Sequence, residues 1–290
     1  MIKVDYTNAR PLDVHRWSDY SEVNIFVNEI YNDLKSIKGN EAISKKLVKV
    51  ILLDLYVAWC ADHSLMLMFS RDNNAYKAKS RYNELHIGKK IIGIVDALVK
   101  DGVIGQKKGF KDRISGIGFQ SRLWATNKLK AHFETVKFSQ FVITRNEDWD
   151  PIILRDKDKK NKEYDDTVET NRMRSVLLDY IKILENTHID IYDLDTPVLT
   201  VGTKKRTMRL QINQQDKLVR RVFNNLRWDQ GGRFYGGWWQ RCPKDYRKKI
   251  KMDGIMTAEV DFSGLHIVLL YAKEGINYWA EVNEDPYQLH

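Results

Sequence analysis

One carboxylate stands where metal chemistry could use it. Thr257-Ala258-Glu259-Val260 is a β-like run ending at Asp261; Phe262-Ser263-Gly264 turns the chain, and Leu265 to Ala272 is apolar and helical. A carboxylate at a strand end before a tight turn can hold Mg²⁺, which takes one or two carboxylates plus phosphate oxygens of a substrate. The same pattern fits a helix N-cap aspartate assisted by Ser263, and spacing alone leaves both open. The approach to Asp261 carries complementary chemistry. Between Val201 and Lys251 lie 15 Lys and Arg against 3 Asp and Glu, a net +12 in a chain of net +9, so everything else sums to −3. The stretch also holds Phe223, Trp228, Phe234, Tyr235, Trp238, Trp239 and Tyr246. Cations neutralise phosphates and aromatic faces stack on bases. This mixture favours a polyanion partner over a solvated basic face with its aromatics in a core.

Other chemistries lack their residues. No G-x-x-x-x-G-K-[ST] loop occurs, and Gly231-Gly232 and Gly236-Gly237 do not follow a strand–helix phosphate-loop pattern. The seven His are scattered without an H-x-x-x-H pair, and Cys60 and Cys242 form neither a zinc site nor a disulfide framework. Cys60 reads as core. Cys242, near Arg241 and Lys244, reads as an inert thiol, with a low-pKa thiol as the other option. With 290 residues, 43% hydrophobic and 11% aromatic, the chain can bury a sizeable core in one large or two ordinary domains. The longest apolar run, Val48 to Cys60, is interrupted by Lys49 and Asp54 and falls short of the ~20 residues that span a bilayer. The N-terminus has no apolar segment after a basic start, so no membrane partner and a reduced, cytoplasmic location are expected.

The expected elements place these residues in an α+β chain. Helices are predicted around Val23–Ile37, over Ile43–Ala61, Gly88–Lys100, Met173–Leu184 and Asp216–Leu226, the last carrying Arg220 and Arg221. Short strands are predicted at Val103–Gln106, Phe119–Thr126 and Phe138–Thr144. Helix, helix, then a hairpin with a basic, glycine-rich tip is the layout of a winged helix. Its second helix would enter the major groove, and Lys107, Lys108, Lys111 and Arg113 would meet backbone phosphates; a winged helix used only for protein contacts is the alternative. The expected division is a helical extension over 1–40, a winged-helix-like DNA-binding domain over 41–154, a charged linker over 155–170 and a basic α+β domain over 171–290.

Asp261-Phe262-Ser263-Gly264-Leu265-His266-Ile267-Val268-Leu269-Leu270-Tyr271-Ala272 resembles motif A of the family A polymerases and their single-subunit RNA polymerase relatives. Gly232-Arg233 followed by Gln240-x-x-Pro243 is similar to that family's G-R…Q-x-x-P stretch, and Glu284-Asp285-Pro286-Tyr287 to an acidic-aromatic element after motif A. The resemblance covers roughly residues 220–290. It implies an incomplete polymerase-palm-like domain in which Asp261 ligates both Mg²⁺ ions of a two-metal phosphoryl transfer, helped by the Phe262 carbonyl. It further implies that Ser263 and Gly264 shape the turn beneath the incoming nucleotide, that Arg233 and Gln240 face a primer–template duplex, and that Arg247 lies near triphosphate or template phosphates. His266 stands where DNA polymerases of the family usually carry Glu, which leaves dNTP or rNTP open; a buried histidine bonded to a backbone carbonyl is its other reading. The family's second catalytic Asp and its K-x-x-x-Y helix are missing. The implied function is therefore part of a template-directed DNA polymerase acting on duplex or primer–template DNA, its second carboxylate supplied by another polypeptide or a further C-terminal portion. The alternatives are a non-catalytic replication initiator or regulator of a phage or mobile element, and an RNA-directed or RNA-making enzyme.

Overall fold

The computed structural model describes residues 7–111, 113, 116, 118–145, 149–203, 206–260, 264–282, 284 and 287. The first half runs β1 (Ala9–Pro11), β2 (Arg16–Trp17), α1 (Ser21–Asn32), α2 (Glu41–Ala61), β3 (Met66–Phe69), α3 (Lys90–Lys100), β4 (Ile104–Lys107), β5 (Phe110–Lys111), β6 (Gly118–Phe119), β7 (Ser121–Ala125), α4 (Asn127–Thr135) and β8 (Thr144–Arg145). The second runs β9 (Ile152–Arg155), β10 (Asn161–Lys162), α5 (Val168–Asn186), β11 (Ile189–Asp190), β12 (Val198–Thr203), β13 (Arg206–Gln211), β14 (Arg220–Asn224), β15 (Arg227–Tyr235), α6 (Lys244–Arg247), β16 (Lys251–Met252), β17 (Ile255–Met256), α7 (Leu265–Lys273) and α8 (Tyr278–Glu281). The chain is α+β, with one hydrophobic core from Val23 to Ile143 and a second from Trp149 to Ile250.

Helix α2 is the axis of the first core. The Asn40 side chain caps it by accepting from the Ile43 amide at 3.0 Å. It is buried on every side from Leu47 to Ala58, as befits a helix that is apolar all round. The two charges that interrupt it are satisfied where they lie. Asp54, fully buried, accepts from Arg10 at 2.6 and 2.9 Å, from Arg16 at 2.7 Å and from the Asp13 amide at 2.8 Å. Lys49 donates to Asn24 at 2.8 Å and sits 4.0 Å from the Trp17 ring centroid. Against α2 lies a sheet in the order β1-β3-β7-β4, with β7 antiparallel to both neighbours and β1 parallel to β3. Helix α3 closes at Gly102, whose φ of +70° suits glycine, with the Val103 amide bonded back to Leu98. Residues 1–40 were expected as an extension, yet Val23, Phe26, Val27 and Ile30 of α1 are part of this first core.

The second core stands on a sheet ordered β10-β9-β14-β15, in which β9 and β14 are parallel and β14–β15 is a hairpin. Leu177, Ile181 and Leu184 of α5 join Leu154, Phe223 and the fully buried Trp238 there. Two expectations give way. Residues 216–226 form no helix: Arg220–Asn224 is strand β14, turned into β15 by Asn225 and Leu226, both at φ +57°. That pair of left-handed residues makes the two-residue turn whose twist matches paired strands. The charged stretch 155–170 is no free linker either. Asn161–Lys162 pairs with β9, and Asp166 binds Arg81 and Arg174, each at 2.7 Å. Arg81 also bonds Asp150 at 2.9 Å and the Tyr164 carbonyl, and stacks 3.5 Å from the Tyr164 ring centroid. This charge cluster ties the irregular segment after β3 to the second half. The strands expected at Phe138–Thr144 and Thr257–Val260 reduce to the two-residue β8 and to irregular chain.

Candidate nucleic-acid interface

The hairpin after α3 is built as expected from its sequence. β4 pairs with β7, and beyond them the short β5–β6 pair carries Phe110 and Phe119 stacked with ring centroids 5.1 Å apart. Apolar stacking holds the tip while its cations face water: Lys107, Lys108, Lys111 and Arg113 are all exposed, and none makes a salt bridge among the described residues. On α3 the outward positions are Lys89, Lys90, Gly93, Asp96 and Lys100. Asp96 is taken by Arg71 in a two-pronged pair at 2.7 and 2.8 Å, which holds its carboxyl below the usual range. The one acid on this face is thereby neutralised.

The β14–β15 hairpin carries the basic-aromatic residues of the second half. Arg221 lies opposite Phe234, donates from Nε to the Gly232 carbonyl at 3.1 Å and sits 5.0 Å from the Phe223 ring centroid. Arg233 is exposed and has no hydrogen-bond or ion-pair partner among the described residues. Gln240 is used locally: its Nε2 donates to the Phe234 carbonyl at 3.0 Å and its Oε1 accepts from the Gly236 amide at 2.8 Å, clamping the hairpin end. A groove of about 650 Å³ lies between this hairpin and α5, floored by Val176, Tyr180, Phe234 and Trp239 and edged by Arg172 and Arg221. Arg220, on the opposite face of the sheet, pairs across with Tyr235.

Around the expected metal position, Asp261, Phe262 and Ser263 lie outside the described residues. Gly264 at φ +62° leads into α7. His266 is exposed, its Nδ1 3.3 Å from the Tyr287 hydroxyl, so its reading as a buried histidine does not hold. Arg247 pairs with Glu259 at 3.3 Å. Among the described residues no group of three His, Cys, Asp or Glu side chains could hold a metal ion, and the carboxylate two positions before Asp261 is engaged with Arg247. No helix among them is long and apolar enough to cross a membrane. Cys60 and Cys242 are unpaired thiols whose pKa is pushed up by burial, so the low-pKa option for Cys242 does not hold.

Further cations gather in places that the sequence does not single out. Lys77 and Lys79 are exposed along a groove of about 960 Å³, faced by Lys160 and Lys162 and by Tyr76 and Tyr82. Arg145 and Arg155 meet Arg220 in a smaller pocket. The signal for the first set was the local run of lysines; the second set is drawn from three separate strands, which no spacing rule connects. Comparison of the chain with models of protein families, with curated proteins and with solved structures finds no match.

Proposed function

We propose that the protein binds nucleic acid as a replication-type factor, engaging duplex DNA through α3 and the β4–β7 hairpin and running a strand along the basic-aromatic hairpin β14–β15. The observation that carries this reading is how the cations are partitioned. Those inside or between the halves, Arg10, Arg16, Arg81 and Arg174, are matched by carboxylates. Those on the hairpin tip, with Arg233, are exposed and make no salt bridge among the described residues. Exposed cations clustered on a projecting element and without carboxylate partners there suit phosphates. The order β3-β7-β4 with α3 feeding β4 supports the winged-helix reading of residues 41–126. The test is binding of a labelled duplex, in EDTA, at about 0.1 M salt. Changing Lys107, Lys108, Lys111 and Arg113 together to Ala is expected to weaken affinity at least tenfold while leaving the fold intact. Unchanged affinity would overturn the proposal.

A second reading is supported by the resemblance to motif A and by the left-handed Gly264 that turns the chain into α7. Under it the protein supplies part of a polymerase active site, with Asp261 holding Mg²⁺. Mg²⁺-dependent nucleotide incorporation, in the presence of any partner that completes the site, is then expected to be abolished by Asp261→Asn with DNA affinity kept. Incorporation that survives Asp261→Asn would remove this reading and leave the first untouched.

A further inference from the structure

Behind the β14–β15 hairpin, on the sheet face opposite α5, lies a pocket of about 210 Å³. Three guanidinium groups line it, from β8 (Arg145), β9 (Arg155) and β14 (Arg220). Arg145 and Arg220 both lie over the ring of buried Trp149, at 5.1 and 5.5 Å from its centroid. Arg145 spends Nη2 on Asp13 at 2.6 Å, but its Nη1 is buried with no partner. Arg155 gives Nε to Asn161 at 3.2 Å. The Arg220 guanidinium has no hydrogen bond or ion pair among the described residues; burial, then the like charge of Arg145, pushes it down to about 10, against the opposing pull of Asp13 and Glu84. One carboxylate, Asp216, also lines the pocket; it is partly exposed, lies 3.9 Å from Arg241 and acts on the charge of Arg10. Three guanidinium groups thus share one pocket, and burial together with the neighbouring charge of Arg145 disfavours the Arg220 cation, a cost that an entering anion would offset.

We infer that this pocket receives a phosphate group of a nucleic-acid strand, an inference that rests on the nucleic-acid reading above. Guanidinium forks match phosphate oxygens in pairs. The volume is below the ~300–1,000 Å³ typical of small-molecule sites, so it fits a phosphate with its waters and leaves the rest of the nucleotide outside. Tyr235, about half exposed at 48% in the pocket lining, offers a ring face to that outer part. Gly236 passes the pocket edge at φ +146°, where an added Cβ would stand 2.1 Å from the Leu218 carbonyl oxygen, so this wall cannot carry a side chain.

The source of the phosphate, a strand terminus or an internal diester, is separated by experiment. Thermal unfolding is followed for wild type, Arg220→Gln and Arg145→Gln with inorganic phosphate against chloride at equal ionic strength. Binding of one oligonucleotide with a 5′-phosphate or a 5′-hydroxyl is then measured. Phosphate is expected to raise the wild-type Tm by roughly 3 °C more than it raises that of Arg220→Gln, at about tenfold excess over its Kd. Because the Arg220 guanidinium rests on the Trp149 ring and makes no hydrogen bond or ion pair among the described residues, Arg220→Gln should still fold, with a Tm near that of wild type without phosphate. Its oligonucleotide affinity is expected to fall about tenfold, for the 5′-phosphorylated strand alone if the terminus is read, and for both strands if an internal phosphate is read. Equal phosphate shifts in wild type and Arg220→Gln, or equal oligonucleotide affinities for both, would overturn the pocket assignment and leave the nucleic-acid reading standing. A phosphate shift lost in Arg220→Gln, with no oligonucleotide bound even by wild type, would instead overturn the nucleic-acid reading. Should Arg220→Gln fail to fold, Arg220 is structural and the assignment falls; Arg220→Lys, which keeps the charge, separates that outcome from a preparation fault.

Discussion

At the scale of residues, the molecule is organised by where its arginines find carboxylates. Asp13 is the clearest case. Burial opposes its charge, but Arg145 and Arg16 outweigh burial and hold its carboxyl well below the usual range. A carboxylate depressed in the folded state gives stability that is full above its unfolded pKa of about 4 and is lost as pH falls further. Asp13→Asn should therefore cost about 3 kcal/mol near neutral pH, since it strands buried cations. In denaturant titrations that difference should shrink steadily below about pH 4; a difference independent of pH would contradict the assignment. Sequence alone showed Lys49 and Asp54 only as interruptions in an apolar run. Their partners lie 25 to 44 residues away at Asn24, Arg16 and Arg10, and composition carries no trace of such pairings. The unspent donors of Arg145 and Arg220 were hidden for the same reason.

At the scale of elements, long helices with a regular apolar stripe were legible, and short strands were not. Helices α2, α3 and α5 lie where their spacing put them, because a three-to-four period has few other outlets. Strand β14 is ambiguous in sequence because Val219, Val222 and Phe223 fit a helical face as well as a strand. Its turn, Asn225-Leu226, lacks the glycine that marks most such hairpins. The contrast between α2 and α7 has a dynamic consequence. Helix α2 is enclosed by the first core, whereas α7, nine residues long, buries none of its side chains. Short helices without packing are marginal in water. In native-state hydrogen exchange, α2 amides should open only with global unfolding, while α7 amides should exchange far faster than those of α2, α3 and α5. Protection of α7 equal to that of α2 would show that its apolar side is covered in solution.

At the scale of the whole molecule, the two cores are joined by charge. Arg81, Arg174, Asp150 and Asp166 bridge the segment after β3 to the second sheet, and a groove with lysines on both walls runs over that seam. The +12 segment read from the sequence is only part of the resulting basic surface. The hairpin tip and the groove lie outside it, in stretches whose overall balance is acidic. Within that acidic remainder the tip is locally basic and its cations are exposed, while in the groove Lys77 and Lys79 are exposed and Lys160 and Lys162 pair with Asp158 and Asp156. The account therefore turns on whether the exposed cations meet phosphates, and the most direct measurement is the salt dependence of duplex binding. The plot of log Kobs against log [salt] should be steep for wild type. It should flatten by about 3 to 4 when Lys107, Lys108, Lys111 and Arg113 are changed to Ala, since each phosphate contact contributes roughly 0.9 to the slope. A slope unchanged by those four substitutions would contradict the account.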